Sequence, residues 1–437
     1  MKRQTFSVIM MTMLLSASLM LAPERSFANS AEIGGGIMTP AFETRPDLGI
    51  RAGAFMIYPK ITAGMVYNDN IYATKNNEES DWIATVAPRI MASSTWSCHS
   101  LKLDAGIRKG FYLEESSEDY LNAHVMAGGR LNILRTSYFE LKTGYESYYE
   151  DRMSPDAIDA WKKPARYERL SADASLNHEM GRFIINTGGG AAGYLYKKVD
   201  LVDGGSENQS IRDYISYTAR AQLGYDLHPD IKPFVKADYN WRRYDKYEEA
   251  QRDSDGYRVG AGTQIYMGGI TSGDVWGGYM RQDYDFENRD DISSVWYGLG
   301  LTWDVTRLTS IRAGVERTIK ETTQAGASGI VGTTASLTVR HALLRDISPS
   351  LSLSYTHDDY KGIDITSNPQ AYPGYRITGG IILTRLRLFR SAQYIISSVD
   401  TNTKANPKAR AVENWDDNMR TGKSRFINMF RIKEKAS

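Results

Sequence analysis

Cysteine and long apolar runs are nearly absent from this chain of 437 residues. Cys98 is the only cysteine, so no internal disulfide can staple the fold. After residue 30, no apolar run reaches the length of a transmembrane helix, and the mean hydropathy is −0.44. Windows rich in alanine, leucine and glutamate, which favour helices, are also missing. These absences exclude a disulfide scaffold and a helical membrane protein.

Net charge is also scarce, at +1, but the charge is unevenly distributed along the chain. The segment after Phe389 carries ten lysines and arginines against five acidic residues. Between residues 29 and 389, by contrast, 46 acidic residues outnumber 40 basic ones. Proteins that bind nucleic acid carry a basic surplus that meets the phosphates. An acidic body therefore argues against a nucleic-acid partner.

The N-terminus has the three parts of an export signal. Lys2 and Arg3 precede an apolar run over residues 6–21, and Ser26 and Ala28 supply small residues at the cleavage positions. We expect cleavage after Ala28, which makes residues 1–28 a signal peptide and residues 29–50 a periplasmic leader. No cysteine lies near the cut, which excludes lipid attachment there. The mature protein is expected outside the cytoplasm.

Apolar and polar residues alternate along most of the remaining chain. In Leu101–Leu113 almost every second residue is apolar, and Tyr120–Leu131 repeats the pattern after a polar link. A period of two is typical of a strand, because successive side chains point to opposite faces of a sheet. The same template matches sixteen segments between residues 51 and 389. The pattern predicts an all-β fold, and both a soluble sandwich and a membrane barrel produce it.

The connections between the predicted strands alternate between long polar loops and short turns. Residues 151–164 and 200–209 form long connections, whereas 180–182 and 268–271 form short ones. A barrel in an outer membrane has this arrangement, with short turns in the periplasm and long loops outside. We therefore predict an antiparallel up-and-down transmembrane β-barrel of about sixteen strands over residues 51–389. Its predicted location is the outer membrane of a Gram-negative bacterium.

Two short patterns carry a resemblance to a known family. The first predicted strand closes on Tyr67-Asn68-Asp69-Asn70-Ile71-Tyr72, and the second contains Ser80-Asp81-Trp82-Ile83 followed by Pro88. The chain resembles the family described as putative beta-barrel porin 2, outer-membrane proteins often encoded beside exopolysaccharide genes. The matching motif positions are Asn68, Asp69, Asn70 and Pro88. The resemblance implies an exported barrel that serves polysaccharide passage, and it supplies no catalytic residues.

The C-terminal segment departs from this pattern. Barrel chains of this kind end on an aromatic residue of the last strand, and Phe389 is such a residue. Residues 390–437 follow it, are basic, and show no regular alternation. We interpret them as a periplasmic tail. The apolar run Tyr394-Ile395-Ile396 leaves open a final strand that lies later in the chain.

Charged residues of both signs take the positions that alternate with the apolar ones. In a barrel of this width the interior holds water unless it is plugged, so these side chains are predicted to line the lumen. They could bind sugar hydroxyls or ions, or pair with one another and brace the wall. The predicted lumen residues are Lys102, Asp104, Arg108, Arg130, Glu140, Lys142, Glu146, Arg169, Arg212, Arg220, Lys236, Asp238 and Arg312.

Patterns for catalysis or for a bound cofactor are weak. Residues 188–193 match G-x-G-x-x-G, but a strand follows where a dinucleotide site needs a helix, so we interpret them as glycines that let the wall bend. The six histidines lack metal-ligand spacing, and the acids at 200–205 and 357–359 lack that of a calcium loop. No G-x-S-x-G motif occurs. The sequence predicts no enzyme, no cofactor and no metal site.

The predicted function is an outer-membrane channel associated with exopolysaccharide export or with passage of saccharides. Its predicted partners are outer-membrane lipid, polysaccharide and periplasmic export components. A general passive-diffusion porin, a barrel enzyme whose Ser and His come from different strands, and a non-conducting structural barrel are the alternatives. The oligomeric state, and whether the lumen is open or plugged, stay open.

Overall fold

The computed structural model of the chain is almost entirely β-structure. It describes residues 49–74, 77–152, 154, 156–157, 160–246, 252–287, 289–322, 327–343, 347–362, 374–387 and 390–400. The predicted signal peptide at 1–28, all but the last two residues of the predicted leader, and residues 401–437 lie outside these ranges. Within the described ranges, no helix is long and apolar enough to cross a membrane.

Within these ranges, twenty strands follow one another, with two short 3₁₀ helices at Ser116–Glu118 and Gln209–Arg212. The strands are β1 Ile50–Ala52, β2 Phe55–Asn68, β3 Asp81–Ser94, β4 Ser100–Tyr112, β5 Tyr120–Leu134, β6 Ser137–Tyr149, β7 Arg166–Met180, β8 Phe183–Tyr196, β9 Val199–Asp200, β10 Ser206–Glu207, β11 Tyr214–Tyr225, β12 Ile231–Tyr244, β13 Ser254–Met267, β14 Thr271–Tyr284, β15 Ile292–Thr306, β16 Thr309–Lys320, β17 Gly329–His341, β18 Ile347–Lys361, β19 Gly374–Arg387 and β20 Arg390–Asp400.

The long strands form one sheet in which each pairs antiparallel with the next. The pairings run from β2 to β8, pass from β8 to β11, and continue to β20. β20 then pairs in parallel with β2 through Thr62–Ser391 and Ala63–Ala392. The pairings therefore return to the strand on which they began, and every long strand has a neighbour on both sides. A sheet closed in this way leaves no edge strand exposed.

The predicted architecture is confirmed, with one difference at its C-terminal end. Each of the sixteen predicted strands has a counterpart among β2 to β8 and β11 to β19. The predicted boundary at Phe389 is too early, because the sheet continues through β20. Residues 390–400 therefore belong to the sheet and not to the predicted tail. The apolar run at 394–396 is the sequence signal for this additional strand.

One face of the sheet exposes a continuous set of large apolar side chains. On β4, Leu103 and Ile107 are 42% and 49% exposed, and Val125 on β5 is 57% exposed. Members of this set, which we call the outer band, are Ile61, Val86, Ile90, Leu103, Ile107, Val125, Leu223, Val235, Val259, Val275, Val295, Leu299, Leu337 and Leu353. So large an apolar surface is costly in water and is the surface that a barrel presents to lipid.

The two ends of the barrel are unlike. Tight turns at 135–136, 181–182 and 307–308 join strands at one end, and Gly181 occupies the left-handed region at φ +63°. Long connections at 150–165 and 197–213 lie at the other end. The predicted alternation of long and short connections is thus confirmed. We call these the short-turn end and the long-loop end.

Candidate functional site

The face opposite the outer band, here called the inner face, is polar and charged. Starting from Asp104, the pairing register fixes which residue of each strand shares this face. The inner-face positions include Lys102, Asp104, Arg108, Arg130, Glu140, Lys142, Glu146, Arg169, Arg220, Lys236, Asp238 and Arg312. Arg212 is the exception among the predicted lumen residues. It lies in the 3₁₀ helix Gln209–Arg212 of the loop between β8 and β11.

Asp104 is the centre of a cluster on β3, β4 and β5. Arg89 donates two hydrogen bonds to its carboxylate, one of them 2.7 Å from Nε to Oδ1. His124 Nε2 lies 3.4 Å from the same Oδ1. Gly106 leaves the room for this cluster, because a Cβ there would lie 2.8 Å from His124 Cε1 and 3.3 Å from Arg89 Cγ. A charged cluster that bridges three strands braces the wall.

Cross-strand ion pairs continue along β5, β6 and β7. Arg169 Nη1 lies 2.7 Å from Glu146 Oε2. Arg130 Nε lies 4.0 Å from Glu140 Oε1, and the Arg130 guanidinium stacks 3.5 Å from the centroid of the Tyr138 ring. Glu140 and Glu146 each face a base on the neighbouring strand, so the charges of each acid and base offset one another within the barrel wall.

The glycine run at 188–190 has a specific role in this network. Arg220 on β11 donates to Asp173 on β7 at 2.6 Å, and the pair passes over β8, which separates the two strands. A Cβ on Gly190 would lie 2.7 Å from Asp173 Oδ2. Glycine therefore keeps the path of the ion pair open.

Beyond β11 the inner face becomes aromatic. Lys236 Nζ lies 3.6 Å from the ring centroid of Trp276 and 4.4 Å from that of Trp296. Arg258, which pairs with Asp238 at 2.9 Å, also faces the Trp296 ring. The attraction between a cation and an indole ring is stronger when both are shielded from water, and Trp296 is only 2% exposed. Large aromatic and basic side chains therefore pack together on this side of the lumen.

Basic residues outnumber acidic ones on the inner face of β2 to β18, although the body of the chain is acidic overall. The bases at register-paired positions are Lys60, Arg89, Lys102, Arg108, Arg130, Lys142, Arg169, Arg220, Lys232, Lys236, Arg242, Arg258, Arg312, Lys320 and Arg340. The acids are Asp81, Asp104, Glu140, Glu146, Asp173, Glu179, Asp238, Asp274, Glu316 and Asp358. The acidic surplus of the sequence therefore comes from positions outside this inner-face set.

Four of the predicted bases form no ion pair in the described part of the chain. One of them, Lys236, lies over the Trp276 and Trp296 rings, and the other three are Arg108, Lys142 and Arg312. Lys142 is exposed, and Met126, on the neighbouring strand, is 37% exposed even though it faces inwards. Water therefore reaches the inner face near β5 and β6. Arg108 on β4 and Lys142 on β6 give that region a positive charge, whereas Arg312 lies on β16.

Near the long-loop end, tyrosines form an arc on the inner face. The rings of Tyr194 and Tyr214 stack at 4.6 Å and 12°, and Tyr214 and Tyr244 stack at 5.1 Å and 28°. Arg212 covers the Tyr196 ring at 4.0 Å. Because neighbouring rings and a guanidinium cover these faces, the arc is built for packing, not for stacking against a ligand.

Above the arc, two loops from opposite sides of the barrel meet. Thr322, between β16 and β17, donates to Asp156, between β6 and β7, at 2.8 Å. Asp156 Oδ2 also lies 3.5 Å from Arg212 Nη2, and Arg212 donates to Glu150 at 3.0 Å. Burial raises the pKa of the Glu150 carboxyl above its usual value, even though Arg212 opposes this shift. We call Glu150, Asp156, Arg212 and Thr322 the cap latch.

Three further arginines hold the loop between β16 and β17 over the lumen. Arg242 pairs with Glu321, and Arg252 donates to the carbonyl of Thr322. Arg289, from the loop between β14 and β15, donates to the carbonyl of Ala327. Thr322 and Ala327 are 1% and 0% exposed. Loops therefore cover a large part of the long-loop end.

The family-motif residues shape the wall and its first loop. Asn70 is buried; its amide donates to Thr74 O at 2.7 Å and accepts from Thr74 N at 3.0 Å. Asn68 accepts from Asn70 N, with Asp69 in the turn between them. The pairing of β3 with β4 lacks partners at Ala87 and Pro88, because proline has no amide hydrogen to donate. None of these four positions adds a charge to the lumen.

One contact bears on the enzyme alternative. Ser137 Oγ lies 2.6 Å from His178 Nδ1 at the short-turn end, on the outer surface. This is the distance of a nucleophile and its base. Among the described residues, no carboxylate orients the other nitrogen of His178. Thr309 and His341 form the same kind of contact at 2.8 Å, so hydroxyl–histidine pairing recurs in this wall.

A closed antiparallel sheet with an apolar outer band and a charged inner face defines a transmembrane β-barrel of the outer-membrane type. The chain belongs to the family described as Putative beta-barrel porin 2, whose sequence profile matches residues 43–384. The predicted family is thus confirmed. No curated protein matches the chain in sequence.

Several solved structures are similar to the chain. The ferric citrate transporter FecA in the unliganded form is 12% identical with a TM-score of 0.41, covering 81% of this chain and 61% of its own. The copper transporter OprC is 12% identical with a TM-score of 0.39, covering 79% and 66%. OccAB4 of Acinetobacter baumannii is 11% identical with a TM-score of 0.36, covering 80% and 93%. The chain thus spans less than two thirds of the first two proteins.

Proposed function

We propose that the protein is an outer-membrane channel for saccharides that favours anionic solutes, and that it serves exopolysaccharide export. The observation that carries this proposal is the basic surplus on the inner face of a body that is acidic overall. A positive aqueous pore concentrates anions and repels cations, because the low-dielectric wall screens charge poorly.

The distribution of ion pairs supports the sign of the selectivity. Six inner-face acids are held by bases, as with Glu146 by Arg169 and Asp358 by Lys320. A paired acid contributes little field to the pore, whereas Arg108 and Lys142 keep their charge. The field that a passing solute meets on the β4 to β6 side is then positive.

A wall of hydroxyl groups supports saccharides as the cargo. On the inner face of β17 and β18, the half-buried Thr338 and Ser352 lie 3.2 Å apart between hydroxyl oxygens, and beside them the buried Thr334 and Thr356 lie 3.4 Å apart. Hydroxyl groups both donate and accept hydrogen bonds, as sugar hydroxyls do. A sugar can exchange its hydrogen bonds to water for bonds to this wall without a large penalty.

The test is transport by the purified protein in liposomes. Liposome swelling is compared for glucose and glucuronate, with arabinose as a small neutral reference. We expect liposomes that contain the protein to swell with all three sugars, and glucuronate to enter faster than glucose. Liposomes that do not swell in any sugar would instead favour the non-conducting structural barrel.

The export role is tested in cells. Deletion of the gene is expected to lower surface polysaccharide while leaving its intracellular precursors in place. Unchanged surface polysaccharide, together with slower uptake of small sugars, would favour a general diffusion porin. We also propose that the protein is not an enzyme, and Ser137→Ala is expected to leave transport unchanged.

A further inference from the structure

A cavity of about 130 Å³ opens on the inner face beneath the cap latch. Its lining comes from β11 to β14 and from β16. Its polar lining consists of Ser216, Thr218, Asn240, Arg242, Arg258, Arg281, Gln282 and Thr318. At about 30 Å³ per water molecule, it has room for a small polar group or for one edge of a sugar ring.

Three buried polar atoms around this cavity lack a hydrogen-bond partner. They are Arg258 Nε, Asn240 Oδ1 and Gln282 Nε2. Gln282 is 2% exposed, so its amide is almost fully removed from bulk water. A buried donor or acceptor without a partner is unfavourable, so native proteins rarely keep several together. Such a group of atoms indicates a ligand site.

The glycine opposite these amides shows that the space is built. The side chains of Gln282 and Asn240 meet over Gly256 on the intervening strand. A Cβ at Gly256 would lie 2.9 Å from Asn240 Nδ2 and would clash with the Gln282 amide. Glycine here lets two amides from β12 and β14 point into one cavity.

The unpartnered atoms specify the ligand's chemistry. Arg258 Nε and Gln282 Nε2 are donors, and the first is part of a cation. Asn240 Oδ1 is an acceptor. A carboxylate can accept from both donors, and a hydroxyl group beside it can donate to Asn240. A sugar acid carries both groups on adjacent atoms.

We propose that this cavity is a binding subsite for a uronic acid residue of a saccharide. Arg258 and Gln282 hold the carboxylate, and Asn240 accepts from a ring hydroxyl. The inference rests on the proposed function, since it names the class of saccharide that the channel takes. Its position beneath the cap latch, on the aromatic side of the lumen, separates it from the Arg108 and Lys142 region.

The test measures binding without transport. Isothermal titration calorimetry of the refolded full chain in detergent micelles compares glucuronate, glucose and acetate. Glucuronate is expected to bind at least about tenfold more tightly than either of the others, because only it meets all three atoms. Equal affinities for glucose and glucuronate, or saturable binding of none of them, would overturn the proposal.

Two matched variants place the site. Gln282→Glu keeps the shape but replaces the donor with a carboxylate, and is expected to weaken glucuronate binding about tenfold or more. Gln222→Glu makes the same change on the inner face of β11, outside the cavity, and is expected to change affinity by less than about threefold. If the two variants behave alike, the site is not here. Asn240→Leu gives a second test should Gln282→Glu fail to fold, and glucuronate bound as tightly as by the unaltered chain would count against the site.

These outcomes are distinct from failure of the channel. Glucuronate binding in micelles without swelling of liposomes would reject transport and keep the subsite. Swelling without saturable binding would keep the channel and reject the subsite.

Discussion

Asp173 on β7 and Arg220 on β11 are ion-paired at 2.6 Å although β8 lies between their strands. The pair exists because Gly190 presents no side chain beneath it. Gly190→Ala places a methyl group 2.7 Å from the Asp173 carboxylate and is expected to displace it. Both charges are more than a third exposed, so the pair contributes about 1 kcal/mol or less.

A double-mutant cycle with Arg220→Gln isolates this contribution from the other effects of Gly190→Ala. The two changes are expected to be non-additive in urea unfolding from lipid vesicles. Gly128→Ala is the control, since its Cβ would meet nothing closer than Lys142 Cγ at 3.9 Å. Additive behaviour of Gly190→Ala and Arg220→Gln would mean that the pair contributes nothing.

A charge placed on the outer band is expected to harm insertion far more than one on the inner face. Ala105 is exposed near the middle of β4, so Ala105→Arg should cost about 2–4 kcal/mol at mid-membrane depth. Met126→Arg, on the inner face of β5, should cost much less, because its side chain meets water. Urea titration of folding into lipid vesicles measures both. Equal costs would show that the two faces are wrongly assigned.

The cap latch is expected to control access from the long-loop end. Asp156→Cys with Thr322→Cys, in a Cys98→Ser background, replaces the 2.8 Å hydrogen bond by a disulfide between opposite loops. Oxidation is expected to lower single-channel conductance, and reduction to restore it. Ser137→Cys with His178→Cys, paired across neighbouring strands at the short-turn end, is the control that should leave conductance unchanged. Full conductance with the latch oxidised would show that the cap does not gate the path.

Mild acid is expected to favour the closed cap. The pKa of Glu150 is raised by burial in the closed cap, so closing the cap takes up a proton. Stability of the closed form is then greater below the raised pKa and is lost as the pH rises through it. Conductance should fall as the pH is lowered from neutrality towards the ordinary glutamate value of 4.5. Glu150→Gln should flatten this dependence, and a rise in conductance on acidification would contradict the expected sign.

Strand positions and faces could be predicted from the sequence because period-two alternation is a local property. The same alternation places Asp104, Arg169 and Arg220 on the inner face without knowledge of their partners. The alternation also assigns Arg212 to a strand. It lies instead in a 3₁₀ helix of a loop, where successive side chains do not alternate between two faces. The sequence leaves β20 open as a later strand and does not predict it, because its alternation of apolar and polar residues is irregular.

The partners within the lumen could not be predicted from the sequence. Asp156 and Thr322 are separated by 166 residues and meet only because the barrel brings opposite loops together. Gly190 is interpreted from the sequence as a glycine that lets the wall bend, since nothing in the sequence names the side chains that pass over it. Arg89, His124 and Asp173 also occupy the positions that alternate with the apolar ones. Their place on the inner face could therefore be predicted from the sequence.

Inner-face bases without an acidic partner are proposed to make the pore favour anions. The most direct measurement is the reversal potential of the purified protein in a planar bilayer under a potassium chloride gradient. The reversal potential is expected to favour chloride and to move towards cation preference in the double variant Arg108→Gln and Lys142→Gln. Lys198→Gln, on an exposed loop, should leave it unchanged. A conducting protein whose reversal potential favours cations, or is unchanged by both substitutions, would contradict the proposed anion preference.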